Sequence, residues 1–258
     1  MMTKAPQPGK VKTRLVPPLT TGEAAELNKC FLADTAASIS NICSRRSMND
    51  AAKTELRGQL RVSHSEAATG AVGIAVYTPI GAESAYNEIL SPDFVLLPQR
   101  GEKFGERLHF AAVDLFTCGF ESVCLIDSDS PTVPAESFAQ AVKLLQRPGD
   151  RIVLGPCDDG GYYLIGIKDP HQEIFERIDW STERVLAQTK QRARELGLEV
   201  KLLPAGYDVD DEASLRRLCG ELLATNAPAH IAPKTREFLR KLSAVRCRTE
   251  FATVRDCR

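Results

Sequence analysis

Short apolar runs of strand length alternate with longer segments of helical periodicity along most of this sequence of 258 residues. Strands are predicted at runs rich in apolar and β-branched residues, namely 72–77, 94–97, 122–126, 151–154, 162–167 and 198–203. Helices are predicted where apolar residues recur at helical spacing, namely 21–43, 104–118, 134–145, 182–196, 211–223 and 231 to about 242. This alternation predicts an α/β fold in which helices cover both faces of a mostly parallel central sheet.

Residues at the helix ends support several of these boundaries. Thr21 is placed to cap the first helix, and Ser181 or Thr182 is placed to cap the helix predicted at 182–196. Gly119 suits the left-handed conformation that ends a helix, and Pro134 suits a first helical turn.

One polar segment interrupts the alternation. Residues 44–70 contain few large apolar side chains and are interpreted as a surface insert or loop. The insert lies within a main domain predicted at 1–225, and residues 226–258 are predicted to form a C-terminal helical tail.

Charge and cysteine usage argue against several classes of protein. Lys and Arg number 33 against 34 Asp and Glu, and this balance argues against a general nucleic-acid binder. The 8 Cys have no C-x-x-C spacing and the 4 His are scattered, so a zinc site is not expected. No apolar stretch approaches the roughly 20 residues that span a bilayer. Lys4, Pro6 and Pro8 also interrupt any signal-peptide core, and we therefore expect a cytoplasmic protein without a membrane span.

Three acidic motifs follow predicted strands. Asp127-Ser128-Asp129 follows the strand at 122–126, and the other two motifs occupy 156–161 and 208–210. Ligands of parallel sheets bind at the carboxyl ends of the strands, so these motifs are expected to converge on one cleft. The Asp127 and Asp129 carboxylates suit Mg²⁺ or Mn²⁺, which prefer oxygen ligands and bridge to phosphates. The alternative is a turn made by Asp, Ser and Pro.

The remaining motifs also have two interpretations. The Asp-Asp-Gly-Gly sequence at 158–161 offers carboxylates to a metal or to an acceptor hydroxyl, or it is a simple hairpin turn. Asp210 and Asp211 offer either a metal ligand or a helix cap. Trp180, the only Trp, would supply an aromatic platform beside a helix start.

The N-terminal segment 4–14 is a basic loop. It carries two prolines, a glycine and four cations, which are Lys4, Lys10, Lys12 and Arg14. Fixed N–H donors with Lys or Arg are what phosphate groups require. The segment is not a Walker A loop, and the alternative interpretation is a solvated basic N-terminus.

Together, these motifs resemble one family. In chain order they are K-A-P-Q-P-G-K-V-K-T-R-L, a strand ending in D-S-D-S-P, then G-P-C-D-D-G-G-Y-Y-L-I-G, W-S-T and D-V-D. This pattern resembles the DUF2064 group, also called the arsenosugar-biosynthesis-type glycosyltransferases, which is similar to the GT-A nucleotide-diphospho-sugar transferases. The resemblance extends from about Lys4 to about Leu218. It implies a Rossmann-like GT-A fold, a three-layer α/β/α sandwich that binds a nucleoside diphosphate at the carboxyl edge of the sheet. The group opens with an apolar strand, whereas only Met1-Met2-Thr3 precede Lys4 here.

The resemblance also implies roles for particular residues. The implied nucleotide- and substrate-binding residues are Lys4, Pro8, Gly9, Lys12, Thr13, Arg14, Gly160, Gly161, Trp180, Ser181 and Thr182. The implied metal ligands are Asp127, Asp129 and Asp210, for Mg²⁺ or Mn²⁺. Asp159 is the candidate catalytic base.

The leading functional hypothesis is transfer of a sugar from a nucleotide-diphosphate donor to a small acceptor, assisted by a divalent metal. The alternative is nucleotidyl transfer, in which a phosphorylated small molecule attacks an NTP and pyrophosphate is released. A third hypothesis is a non-enzymatic nucleotide-binding or scaffold protein. The nucleotide base, the sugar, the acceptor and the oligomeric state remain open.

Overall fold

The structure, a computed structural model, describes residues 1–42, 71–92 and 94–255. Its strands are β1 (Met2–Lys4), β2 (Ile74–Thr78), β3 (Val95–Pro98), β4 (Val123–Ile126), β5 (Arg151–Pro156), β6 (Tyr162–Ile167) and β7 (Glu199–Leu202). Its helices are α1 (Thr21–Ile42), α2 (Phe104–Thr117), α3 (Ala135–Leu145), α4 (Val185–Glu195), α5 (Glu212–Leu223) and α6 (Pro233–Arg255). Within these ranges, no helix combines the length and the apolar character needed to cross a membrane.

The strands form a parallel sheet and a mixed sheet. The first has the order β1-β2-β3, and the second has the order β4-β6-β5-β7. In the second sheet β6 is antiparallel to both of its neighbours, because the turn at 157–161 is too short for a parallel crossover. Strands β4, β5 and β7 therefore run in the same direction. The loops that follow these three strands leave the sheet at the same edge.

Both sheets share the same two hydrophobic layers. One layer contains side chains from β2, β4 and β6 together with α1 and α3, including Tyr77, Ile126 and Leu164. The other contains the alternate side chains of these strands together with α2 and Ala193 of α4, including Val76, Leu125 and Ile165. Successive residues of a strand point to opposite faces, so this division shows helices on both sides of the strands. The predicted three-layer α/β/α fold is confirmed.

A third hydrophobic cluster joins the basic loop to the C-terminal helices. It contains Leu15 from the loop, Phe31 from α1, Val209 from the last strand-end loop and Leu239 from α6. Leu15 and Val209 are fully buried. The cluster therefore brings the beginning of the chain against the loop that follows β7, although the two are about 190 residues apart in sequence.

Most element boundaries agree with the sequence prediction, but two caps do not. The hydroxyl that caps α1 belongs to Thr20, which accepts from the Glu23 backbone N–H, because Thr21 is already helical. The helix predicted from Thr182 begins only at Val185, because the Thr182 hydroxyl donates to the Asp179 carbonyl and holds a turn. The predicted insert at 44–70 lies outside the described residues.

The N-terminus of α6 is capped by a side chain from another helix. Asp34 of α1 is 4% exposed and accepts from the backbone N–H groups of Lys234 at 3.0 Å and Thr235 at 2.9 Å. It also accepts from the Thr235 hydroxyl at 2.7 Å. The first N–H groups of a helix have no intrahelical acceptor, and the Asp34 carboxylate accepts hydrogen bonds from two of them. Burial raises the pKa of Asp34, and the hydrogen bonds from Thr235 oppose that shift.

We expect Asp34→Ala to lower the free energy of unfolding by about 2–4 kcal/mol, from the lost cap and the buried donors left unpaired. Asp34→Asn keeps one acceptor and avoids burying a charge, so its loss of unfolding free energy should be less than half that of Asp34→Ala. Urea denaturation of the two variants measures the difference. An alanine variant as stable as the parent would show that the cap contributes nothing.

Candidate functional site

A cleft of about 350 Å³ opens between the basic loop and the loops that follow β4 and β7. Five cationic side chains line it, from Lys4, Lys10, Lys12, Arg14 and Arg107. Two carboxylates line it, from Asp129 and Asp210. The cleft lies at the sheet edge where parallel α/β folds bind ligands.

Lys12 joins the basic loop to both acidic loops. Its ammonium lies 2.8 Å from an oxygen of Asp129, 2.8 Å from an oxygen of Asp210 and 2.9 Å from the Val209 carbonyl. The Lys12 side chain is only 4% exposed, and its ammonium lies 5.5 Å from the centre of the Phe31 ring. Burial lowers the pKa of Lys12, but attraction to the two carboxylates outweighs it and the pKa is raised. Lys12 is therefore a charged group at the cleft wall.

The backbone of Lys12 is held in an unusual conformation. Its φ of 47° and ψ of 37° lie in the left-handed region, between the turn at 7–10 and a short 3-10 helix, Thr13–Leu15. A non-glycine residue there costs on the order of 1–3 kcal/mol and is retained only where the surrounding structure enforces it. The buried Leu15 and the triple contact of the Lys12 ammonium supply that enforcement.

The other cations of the loop are less constrained. Arg14 is 70% exposed, and its guanidinium reaches Asp210 and Asp211 only at 4.0 Å. Exposed pairs of this length contribute little to stability, so Arg14 is available to an anionic ligand. Lys4, at the end of β1, is exposed. Pro8 and Gly9 form the turn of the loop and do not line the cleft.

The acidic residues differ in their surroundings. Asp211 is the cap of α5, accepting from the Ser214 N–H at 2.9 Å, whereas Asp210 lines the cleft. Asp127 does not line the cleft, and its carboxylate accepts from the Ser130 hydroxyl at 2.8 Å. Desolvation, reinforced by repulsion from Asp129, raises the pKa of Asp127 to about 8. Asp211 is thus the helix cap, whereas a metal-ligand role for Asp210 stays a prediction.

A further carboxylate links the cleft to the turn at 157–161. Burial raises the pKa of Asp208 to about 7, with repulsion from Asp210 and Asp159 contributing. The Asp208 carboxyl, crowded by Asp210 and Asp159, therefore keeps its proton to higher pH than a free carboxyl does. Within the described residues, no three His, Cys, Asp or Glu side chains are arranged to hold a metal ion. Mg²⁺ is commonly held by one or two carboxylates plus substrate phosphates, and Asp129 with Asp210 fits that smaller donor set.

The Asp-Asp-Gly-Gly turn is a hairpin connection whose glycines are fixed by packing. Gly160 has a φ of +86°, and a Cβ added there would lie 2.1 Å from the Glu183 carbonyl oxygen. Its own carbonyl accepts from the Leu186 N–H at 2.8 Å. Asp159 is exposed and accepts from the Gly161 N–H at 2.9 Å. Neither the glycines nor Asp159 lines the cleft.

The Trp-Ser-Thr motif lies behind the cleft wall. The Trp180 ring meets Phe104 edge to face at 5.1 Å between centroids, and Phe104 lines the cleft. Ser181 has a φ of 63°, and the Thr182 hydroxyl is used by Asp179. In this geometry, Trp180 supports a residue of the wall rather than forming the wall itself.

Asn28, Gln99 and Arg107 are among the polar residues of the cleft that were not anticipated from the sequence. Asn28 is 4% exposed, and its side-chain oxygen has no hydrogen-bond partner within the described structure. Its position on the buried face of α1 was an available signal, because an amide among apolar residues needs a partner. Gln99 donates to the Thr3 and Val76 carbonyls, and Arg107 donates to the carbonyls of the turn at 101–102. Gln99 and Arg107 carry no comparable sequence signal.

The three-layer fold with a basic loop facing strand-end carboxylates is similar to a nucleotide-diphospho-sugar transferase fold. A crystal structure from Desulfovibrio desulfuricans G20, described as a proposed nucleotide-diphospho-sugar transferase, matches with a TM-score of 0.75 and 28% identity. The match covers 94% of this chain and 93% of that chain. The family model DUF2064, described as an uncharacterized protein conserved in bacteria, matches residues 62–182. Together, these two matches support the resemblance to the DUF2064 family that the sequence motifs indicate.

Two other solved structures are more distant. CMP:2-keto-3-deoxy-manno-octonic acid synthetase in complex with CTP matches at a TM-score of 0.42 and 10% identity, over 59% of this chain and 81% of that chain. A homologue of a Mycobacterium tuberculosis protein, from Mycobacterium sp. strain JC1, matches at 0.41 and 16%, over 74% and 81% of the two chains. No curated protein matches at a significant level. With TM-scores this low, neither structure bears on function.

Proposed function

We propose that the protein transfers a sugar from a nucleotide-diphosphate donor, bound in the cleft, to a small acceptor. The observation that carries this proposal is the position of the Lys12 ammonium, held by Asp129 and Asp210 at the wall of a cation-lined cleft. The similarity to a structure described as a proposed nucleotide-diphospho-sugar transferase supports the same donor class.

The charge of the cleft suits a diphosphate. Five cations and two carboxylates line it, which leaves an excess of three positive charges. Arg14 and Lys4 are exposed and can turn toward phosphate oxygens, whereas Lys12 is fixed. Preorganised cations of this kind stabilise the negative charge that develops on a leaving diphosphate.

Asp129 and Asp210 would hold a divalent cation together with the donor phosphates. A bound Mg²⁺ or Mn²⁺ would supply further charge neutralisation to the leaving group. Lys12 contacts both carboxylates and would keep them oriented toward the cleft. The role of Asp127 in this scheme is to support the loop through Ser130, and a direct ligand role for it stays a prediction.

The transfer breaks the bond between the sugar carbon and the diphosphate oxygen and forms a bond from that carbon to an acceptor hydroxyl. The hydroxyl proton must leave, and we propose Asp159 as the base that accepts it. Asp159 does not line the cleft. Its carboxylate is exposed in the turn that follows β5, so this role requires an acceptor that extends from the cleft to that turn.

A thermal-shift screen of nucleoside diphosphates with and without Mn²⁺ tests donor binding, because a ligand that binds only the folded state raises the melting temperature. We expect one or more diphosphates to stabilise the protein and the matching nucleotide sugar to be consumed. Consumption of an NTP with release of pyrophosphate, and none of a nucleotide sugar, would support the nucleotidyl-transfer alternative instead. A folded protein with no nucleotide affinity would contradict both activities.

Asp129→Asn should weaken Mn²⁺ binding in the presence of the diphosphate by at least about tenfold, because it removes a charged oxygen ligand. The rise in melting temperature that the nucleoside diphosphate causes without Mn²⁺ should remain. The control is Asp169→Asn, an exposed carboxylate outside the cleft, which should change neither quantity. Equal Mn²⁺ affinity in the Asp129 variant and the parent would remove Asp129 from the proposed metal site.

A further inference from the structure

A second cavity of about 480 Å³ lies on the other side of the loops that follow β4 and β7. Ser128 and Asp129 line the cleft, whereas Thr132 and Val133 of the same loop line this cavity. The two spaces have no lining residue in common. The volume lies within the range of about 300–1,000 Å³ that is typical of small-molecule sites.

Two arginines line this cavity, and they differ in their partners. Arg217 is neutralised, because its guanidinium contacts Asp158 at 2.6 Å and Glu221 at 3.0 Å. It also stacks on the Tyr207 ring at 3.7 Å, and the Tyr207 hydroxyl donates to Glu221 at 2.7 Å. These contacts form a closed polar network along one wall of the cavity.

Arg236 has no such partner. It is 6% exposed and donates to the Pro228 carbonyl, and its ion pairs with the described residues include no carboxylate within 4.0 Å. Its Nε is buried and has no hydrogen-bond partner. Burying a charge without an opposite charge is unfavourable, so a structure that retains one has an anion still to be supplied. Arg236 lies on α6, and the segment between α5 and α6 forms the adjoining wall of the cavity.

We propose that this cavity binds a small organic carboxylate, with the Arg236 guanidinium as its anchor. The planar guanidinium of Arg matches a planar carboxylate, and Arg236 lines the cavity. Glu221 lines the same cavity, so a dianionic phosphate would meet more repulsion than a carboxylate. Apolar and aromatic lining from Val133, Tyr163 and Ile231 suits the body of such a molecule. The proposal is independent of the sugar-transfer proposal, because it concerns other residues and is tested by ligand binding without any measurement of turnover.

Benzoate is a suitable probe, with benzamide as its neutral counterpart and phenyl phosphate as a dianion. The measurement is the ¹⁵N–¹H resonance of the Arg236 Nε in the full chain, assigned by its loss in Arg236→Met. Benzoate should shift this resonance in a saturable way, benzamide should not, and phenyl phosphate should bind more weakly. An unmoved resonance, equal binding of benzamide, or tighter binding of phenyl phosphate would overturn the proposal.

Variants give a second reading of the same site. Arg236→Met should weaken benzoate binding by about tenfold or more, because a charge-assisted hydrogen bond is lost. The matched control is Arg240→Met, one turn along the same helix and exposed, which should bind benzoate as the parent does. Arg236→Lys keeps the charge without the fork and should retain part of the affinity. If Arg236→Met folds and keeps full benzoate affinity, or if Arg240→Met loses as much, the assignment fails. If Arg236→Met does not fold, the wild-type titration decides.

Discussion

Lys12→Met should lower turnover of the nucleotide sugar by about 10–100-fold, the range seen when a group that orients metal ligands is removed. The expected loss is large because the Lys12 side chain is nearly inaccessible to solvent and is held by three oxygen atoms before any ligand binds. Water or a mobile surface lysine could replace neither its charge nor its position. Steady-state kinetics would separate an effect on kcat from an effect on KM.

The matched control is Lys10→Met, in the same loop and lining the same cleft, but exposed. Its loss should remain below about tenfold, because exposed charges are screened by water and salt. Thermal unfolding of both variants would show whether the Lys12 variant remains folded at the assay temperature. Equal losses in turnover for the two variants would contradict a special role for the buried ammonium.

Gly160→Ala should lower the free energy of unfolding by about 2–5 kcal/mol, from the left-handed backbone penalty and the strain of overpacking. The added methyl would lie 2.1 Å from the Glu183 carbonyl oxygen, which is backbone and cannot move aside without moving the start of α4. Urea denaturation measures this loss directly.

Gly9→Ala is the control for the backbone penalty alone. Gly9 also has a positive φ, of +72°, but a Cβ there would meet no atom within 4 Å. Its expected loss is about 1–2 kcal/mol. If the Gly160 variant is as stable as the Gly9 variant, the turn at 157–161 can change its backbone conformation at little energetic cost. In that case, the packing explanation for Gly160 would be withdrawn.

The layered fold could be predicted from the sequence because its signals are local. Apolar periodicity identified the helices and strands, and Gly119 ended α2 in the left-handed conformation, φ 92°, as expected. The boundary errors at α1 and α4 have the same origin, because in both a threonine hydroxyl near the helix start forms a hydrogen bond with the local backbone. Thr20 and Thr21 are equally plausible caps in sequence, and a threonine hydroxyl that bonds to a preceding carbonyl delays a helix without leaving a pattern.

The site could be predicted only in part. The basic loop and the strand-end acids were identifiable because their charged residues cluster in short segments, three of which follow predicted strands, and parallel-sheet topology brings such loops to one edge. The sequence could not separate Asp210, which lines the cleft, from Asp211, which caps α5, since they are adjacent and chemically identical. It also did not indicate that Arg107 lines the cleft or that Trp180 lies behind Phe104.

By itself, the sequence determined the order of the elements, the cationic character of the loop at 4–14 and the acidic ends of three strands. All of these follow from interactions among residues close together in the chain. Only the tertiary structure decided that Lys12 lies between Asp129 and Asp210, that Asp34 caps α6, and that Arg236 is buried without an anion. Each of these depends on packing between segments as much as about 200 residues apart, for which the local pattern of a single chain carries no signal.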